Sequence, residues 1–267
     1  MISHPLLLNL VLAFAIGSLW VLLITVIAER AGSNVGGIVG GLPSTSAFSF
    51  FFIGINQSSD ATVQATTVFP LAFSFTCAFL LFYVFFAKRG FRVGLSISLL
   101  IWFVVSALIV ISNLKSFGFS LVGGILISAA TYYIFTERLD LENSTGEKMR
   151  YTPFQLLGRG VLAGSLVLLA VLASQIGGPL LGGIFSAFPA VFTSTLYIVN
   201  KTRGTNFSRS VTRPLAVSSI FTVIPYCIVV RYSYPILGVW IGTVISYAIV
   251  VPLDFLAYRL VRRERGS

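Results

Sequence analysis

The stretch Val35-Gly36-Gly37-Ile38-Val39-Gly40-Gly41-Leu42-Pro43-Ser44 returns 146 positions later as Leu181-Gly182-Gly183-Ile184-Phe185-Ser186-Ala187-Phe188-Pro189-Ala190, with four identities in ten and small or apolar exchanges elsewhere. Two further matches flank it in order: Gly17-Ser18-Leu19 with Gly164-Ser165-Leu166, and Pro70-Leu71-Ala72-Phe73-Ser74 with Pro214-Leu215-Ala216-Val217-Ser218. Three ordered anchors mark an internal duplication. Carrying the last offset onward pairs Gly94 with Gly238, which sets the fourth apolar segment of the chain against the ninth.

Of the 267 residues, 56% are hydrophobic and only 10% charged, whereas a soluble domain has about 25% charged residues. A soluble globule is excluded. Apolar windows bounded by charge, Gly or Pro fall at about 5–28, 34–55, 62–87, 92–112, 117–135, 156–176, 179–200, 210–230 and 235–258. Each is long enough to cross roughly 30 Å of hydrocarbon at about 1.5 Å per residue. The expected fold class is therefore all-α, a polytopic membrane protein of nine transmembrane helices, with residues 1–267 forming a single transmembrane domain. Repeat 1 takes four spans (5–112), a linker span follows (117–135), then a cytoplasmic loop (136–152), and repeat 2 takes four more (153–258). The odd linker span makes the repeats inverted, since the first begins on one side of the membrane and the second on the other. Inverted repeats are the mark of alternating-access carriers, whose site lies at the repeat interface. The plainer alternative is a duplication that only enlarges a bundle.

Net charge is +10, from 18 Lys+Arg against 8 Asp+Glu, and its distribution explains it without nucleic acid. Arg30, Lys88, Arg89, Arg92, Arg138, Lys148, Arg150, Lys201, Arg203, Arg209, Arg259, Arg262, Arg263 and Arg265 fall on one side of the span pattern; His4, Lys115 and Arg231 fall on the other. The basic side is cytoplasmic, which predicts an outside N-terminus and a cytoplasmic C-terminus in a prokaryotic plasma (inner) membrane, multi-pass. The run Pro5 to Ala28, with no Lys or Arg before it, is longer than a signal-peptide core and reads as an uncleaved first span. Two cysteines, Cys77 and Cys227, without a CxxC, and one histidine give no expectation of a metal site or cofactor. No His, Asp or Glu stands within reach of the helical serines, so no enzyme is expected. Glu29 and Arg30 end the first span, Arg159 and Arg213 start the sixth and eighth, and Asp254 sits near the last inner end; with no ionisable group near a midplane, a carboxylate proton relay is disfavoured. Tyr226, Tyr232, Tyr234 and Trp240 read as an interfacial aromatic belt.

Roughly residues 160–258 carry Gly164-Ser165-Leu166-Val167-Leu168-Leu169-Ala170-Val171-Leu172-Ala173, then Phe188-Pro189-Ala190-Val191-Phe192 with Tyr197-Ile198-Val199, and Ile224-Pro225-Tyr226. This half resembles the GlpM-like family of small four-span bacterial inner-membrane proteins. The first half shares only the glycine-proline part, and Leu80-Leu81-Phe82 stands where Ile-Pro-Tyr would be. The resemblance implies a fused pair of four-span units, with one extra span preserving their opposite orientations, and no defined activity.

Chemistry is expected at the duplicated glycine-proline stretches. The candidate substrate-binding residues are Gly36, Gly37, Gly40, Gly41, Pro43, Ser44 and Thr45 in the second span, and Gly182, Gly183, Ser186, Pro189, Thr193 and Ser194 in the seventh. Proline in mid-helix leaves a carbonyl one turn earlier without its donor, and in hydrocarbon that group must be covered by protein or line a wet cavity. Paired interrupted helices at matching positions point to a transporter's binding site. Two alternatives stand beside this: Gly36 with Gly40 and Gly183 with Ala187 are small-xxx-small pairs suited to close packing, and the hydroxyls after each proline can return hydrogen bonds to their own helix. The leading function is a secondary carrier or flippase-like transporter; the alternative is a non-transporting integral membrane scaffold or accessory subunit of an envelope pathway. The expected partners are membrane lipids and a small solute or lipid head group, with no nucleic acid and with homo-oligomer formation left open.

Overall fold

A computed structural model describes residues 4–139, 141 and 151–263; inside its helices, the side chains at 4, 5, 28, 31–41 and 257–263 lie outside the description. Among the described residues the chain is helical without strands: α1 (His4–Gly41), α2 (Thr45–Asn56), α3 (Ser59–Ala65), α4 (Phe69–Phe86), α5 (Phe91–Ile111), α6 (Phe117–Tyr133), α7 (Pro153–Gly177), α8 (Pro179–Ser186), α9 (Ala190–Ser210) and α10 (Thr212–Arg263). Seven stretches are long and apolar enough to cross a membrane.

Local chemistry sets the helix starts. Thr152 and Gln155 form a reciprocal capping box ahead of Pro153, which occupies the first turn where a missing N–H costs nothing. Ser58 and Ser116 accept from Ala61 and Phe119 to start α3 and α6. The buried faces are the unusual part. On α5 the inward residues are Gly94, Ser98, Trp102, Ser106 and Ile109, and on α6 they are Ser120, Gly124, Ser128 and Thr131. Leu100, Phe103, Leu108, Phe119, Val122 and Leu126 of the same helices are exposed. Small and hydroxylated residues inside with large apolar residues outside is the reverse of a soluble bundle, and it is how helices associate when the surroundings are as apolar as leucine. On α6 the small face lets the backbones touch: a Cβ at Gly124 would collide with the Pro70 carbonyl of α4, and the Leu71 N–H donates to Ser120.

Several expected spans are corrected. The second (34–55) is not one helix, because α1 continues to Gly41, the chain breaks at Leu42–Ser44 and α2 restarts at Thr45. The seventh (179–200) is likewise split at Ala187–Pro189 into α8 and α9. The third (62–87) divides into α3 and α4 at Thr66–Val68. The eighth and ninth run together as α10, whose only internal departure from helical geometry is Gly238 (φ 74, ψ 169). The turn between them therefore lies at Gly238 rather than at 231–234. Most of the expected 136–152 loop, including Asn143 to Gly146, lies outside the described residues.

That glycine also revises the repeat alignment. Gly90 (φ 117) opens α5 as Gly238 opens the last segment of α10. Four residues on, Gly94 and Gly242 follow, and another four on, Ser98 and Ser246 donate to their carbonyls at 2.8 and 2.7 Å. Gly90 therefore pairs with Gly238, and Gly94 with Gly242, one helical turn from the register that the upstream matches suggested.

The first helices of the two halves, α1 and α7, pack closely along one another. Gly160 faces Leu22, whereas Gly164 faces Phe14 and Ser18 and Gly17 faces Val167 and Gly164. Sequence numbers rise along one helix as they fall along the other, so the two run antiparallel. The matched glycines Gly17 and Gly164 meet at the crossing, as equivalent residues do where a two-fold axis passes through a self-complementary contact.

Three residues assigned to the outer boundary turn inward. Arg231, placed in a loop by the sequence, lies within α10 and donates from Nη1 to the Val63 carbonyl and to the Thr66 and Thr67 hydroxyls at 2.7, 3.0 and 3.2 Å, with its guanidinium over the Phe117 ring. The aromatic belt keeps only Tyr232 and Trp240, which are exposed; Tyr226 and Tyr234 are fully buried. Proline and charge at 225–235 suggested a membrane boundary, but α10 packs through that region.

Candidate functional site

The two breaks face one another. Leu42 to Ser46 from the first and Ser186, Phe188, Pro189, Val191 and Phe192 from the second line one cavity of about 40 Å³. The remaining lining comes from one further helix of each half, Phe73 and Thr76 from α4 and Ser219 and Val223 from α10. The space suffices for a water molecule or a small ion.

Each break is held by a side chain from the other half. The Tyr247 hydroxyl of α10 donates to the Pro43 carbonyl at 2.7 Å. The Thr76 hydroxyl of α4 donates to the Ala187 carbonyl and accepts from the Trp102 indole N–H at 2.9 Å. Broken helices leave carbonyls that need partners, and here the tertiary fold supplies them. Tyr247 is seated against Trp20 and Tyr226, with ring centroids 6.0 and 5.2 Å away; Trp102 is seated against Phe188, 5.1 Å away.

Of the residues expected at the site, Pro43, Ser44, Thr45, Ser186 and Pro189 line the cavity. Gly182 and Gly183 do not; they lie one turn below and make close approaches. A Cβ at Gly183 would overlap the Ala65 carbonyl oxygen, and one at Gly182 would press on Ser174 and Ile53. Ser194 and Thr193 also lie off the lining. The Ser194 hydroxyl returns to the Val191 carbonyl at 3.0 Å, and the Thr193 hydroxyl is buried without a partner. The positions of Gly36, Gly37, Gly40 and Gly41 relative to the cavity lie outside the described residues.

Sequence reasoning missed Phe73, Thr76, Trp102, Ser219, Val223 and Tyr247 as candidates. A threonine, a tryptophan or a tyrosine in an apolar helix carries no local signal, since only the fold shows which carbonyl it reaches. Arg159 shows the same thing. It is not free at the interface: its Nη1 donates to Thr195 at 2.6 Å, and the Thr195 hydroxyl donates in turn to the Val191 carbonyl at 2.7 Å.

A family described as a protein of unknown function (DUF3147) matches residues 10–114 and again residues 156–259. The chain belongs to that family. It carries the family unit twice, with starts at residues 10 and 156 that are separated by the same 146 residues as the two prolines, and each copy contributes one break to the cavity. No curated protein and no solved structure matches the chain.

Proposed function

We propose that this protein is a membrane-embedded secondary carrier whose solute site is the cavity between the two breaks. The observation that carries the reading is that two interrupted helices, one from each copy of the family unit, meet at a single cavity and are each held by the opposite copy. In a carrier of inverted repeats the solute binds where discontinuous helices meet, and rocking of one repeat against the other exposes it alternately. The antiparallel α1–α7 crossing supports inverted repeats. Nine crossings result if α1 with α2 makes two, α3 with α4 one, α5, α6 and α7 one each, α8 with α9 one, and α10 two across Gly238. The charge distribution puts the N-terminus outside and the C-terminus in the cytoplasm of a plasma membrane. The GlpM-like resemblance of the second half fits a fusion of two four-span units. The work is binding and passage rather than bond-making, because the lining offers hydroxyls and no histidine or carboxylate to activate one.

The narrowness of the cavity favours a second reading, a packed scaffold. Reconstitution in liposomes and measurement of solute uptake decides between carrier and scaffold: a carrier gives saturable flux that protein-free vesicles lack, and a scaffold gives none against any panel member. Topology is tested separately with Thr205→Cys, which is expected to react with an impermeant maleimide only from the cytoplasmic face; labelling from outside would overturn the orientation.

A further inference from the structure

We infer that the solute of this cavity is a small anion, an inference that rests on the carrier reading only for where the solute sits. The argument is a count of hydrogen-bond donors against acceptors. At the end of α8 four acceptors are taken: the carbonyls of Gly182, Ile184, Phe185 and Ala187 receive bonds from Ser186, Ala187, Phe188 and Thr76. At the first break the Pro43 carbonyl receives Tyr247. The donors are not taken. Neither α2 nor α9 has a side-chain cap, and among the described residues no hydrogen bond engages the backbone N–H of Ser46, Val191 or Phe192. Two helix starts thus bring uncapped N–H groups, and the positive ends of their dipoles, to the same cavity wall.

The side chains give a second, independent observation. Ser46 and Ser219 are 4% and 3% exposed, both line the cavity, and neither hydroxyl has a hydrogen-bond partner among the described residues. Buried hydroxyls are ordinarily paired, so these two await a partner inside the cavity. A cation would need carbonyl or carboxylate oxygens. Here the Pro43 and Ala187 carbonyls are engaged, and no Asp or Glu is on the lining. Arg159 reaches the first turns of α9 through Thr195, and among the described residues its Nε is buried and unpaired; the buried Asp254 carboxylate accepts from Ser218 beside the lining Ser219 and is not itself on the lining. At about 40 Å³ the cavity has room for an anion of one to a few atoms.

The test is thermal unfolding of the purified full chain in detergent at constant ionic strength, with sodium gluconate replaced by sodium fluoride, chloride, nitrate or formate. The cation arm exchanges sodium for potassium or choline in gluconate. A saturable rise in Tm with at least one small anion, and none with cations, is expected. Ser46→Ala combined with Ser219→Ala raises the half-saturating concentration at least tenfold, while Ser112→Ala, an exposed hydroxyl elsewhere, leaves it unchanged. Tryptophan emission provides a second readout, since Trp102 is bonded to the lining Thr76. No saturable response to any of these anions, a response to cations, or an unaltered midpoint in the double variant would overturn the inference. Anion binding without flux in liposomes supports it and removes the carrier reading. Flux of a cation or neutral solute without anion binding removes the inference and leaves the carrier.

Discussion

The two breaks share a backbone plan and differ in their chemistry. After Pro43 come Ser44, Thr45 and Ser46; after Pro189 come Ala190, Val191 and Phe192. The latches differ as well, a single tyrosine hydroxyl on the Pro43 carbonyl against a tryptophan–threonine relay on the Ala187 carbonyl. Both breaks keep what the backbone needs, namely an interruption and an opposing donor, while the lining differs. The segment after Pro43 is hydroxylated and the segment after Pro189 apolar. A solute that uses both segments has a preferred orientation, which two identical halves could not impose.

The largest expected effect tests the backbone equivalence. Gly183→Leu would drive a side chain into the Ala65 carbonyl, which belongs to backbone and cannot swing aside. Overpacking costs about 1–3 kcal/mol where neighbours can yield, so here the variant is expected to lose its folded, monodisperse form on size exclusion. Gly158→Ala, with nothing near its Cβ, should leave Tm unchanged. Gly37→Leu is expected to behave like Gly183→Leu if the repeats are equivalent at this point. A fully stable Gly37→Leu beside an unfolded Gly183→Leu would break the equivalence.

The latches come next. Thr76→Val strands two buried groups, the Trp102 indole N–H and the Ala187 carbonyl, whereas Tyr247→Phe strands one, the Pro43 carbonyl. Each unsatisfied buried group costs about 1–3 kcal/mol, so Thr76→Val should lower stability about twice as much in denaturant titrations. Equal losses would mean that the relay is no stronger than the single hydroxyl.

A smaller contrast lies within the lining. Ser186→Ala removes a 2.6 Å bond to the Gly182 carbonyl and should cost about 0.5–1.5 kcal/mol. Ser46→Ala removes a hydroxyl with no protein partner and should change stability by less than about 0.5 kcal/mol. A large loss at Ser46 would give it a structural partner and weaken its part in solute binding.

The sequence carried the outline well because its signals are local or periodic. Apolar length marks helices wherever it occurs, and proline at matched positions marks breaks whatever the surroundings. Thus the matched proline stretches are legible in the sequence, and the duplication agrees with the two family segments. It failed where apolar windows abut. The continuity of α10 through 231–234 could not be seen, because charge and proline there resemble a membrane boundary while the tertiary contacts of Arg231, Tyr226 and Tyr234 keep the chain helical and buried.

By itself the sequence determined the helical class, the duplication and the two proline breaks, since each follows from composition or from spacing along one chain. Only the tertiary structure decided that the breaks share one cavity, that Tyr247 and Thr76 cap carbonyls about 204 and 111 residues away, and that Ser46 and Ser219 keep unpaired hydroxyls facing it. Those properties depend on which donor meets which acceptor across the fold. Hydropathy and periodicity describe a helix's environment but not its partner, so that pairing appears only when the helices are packed.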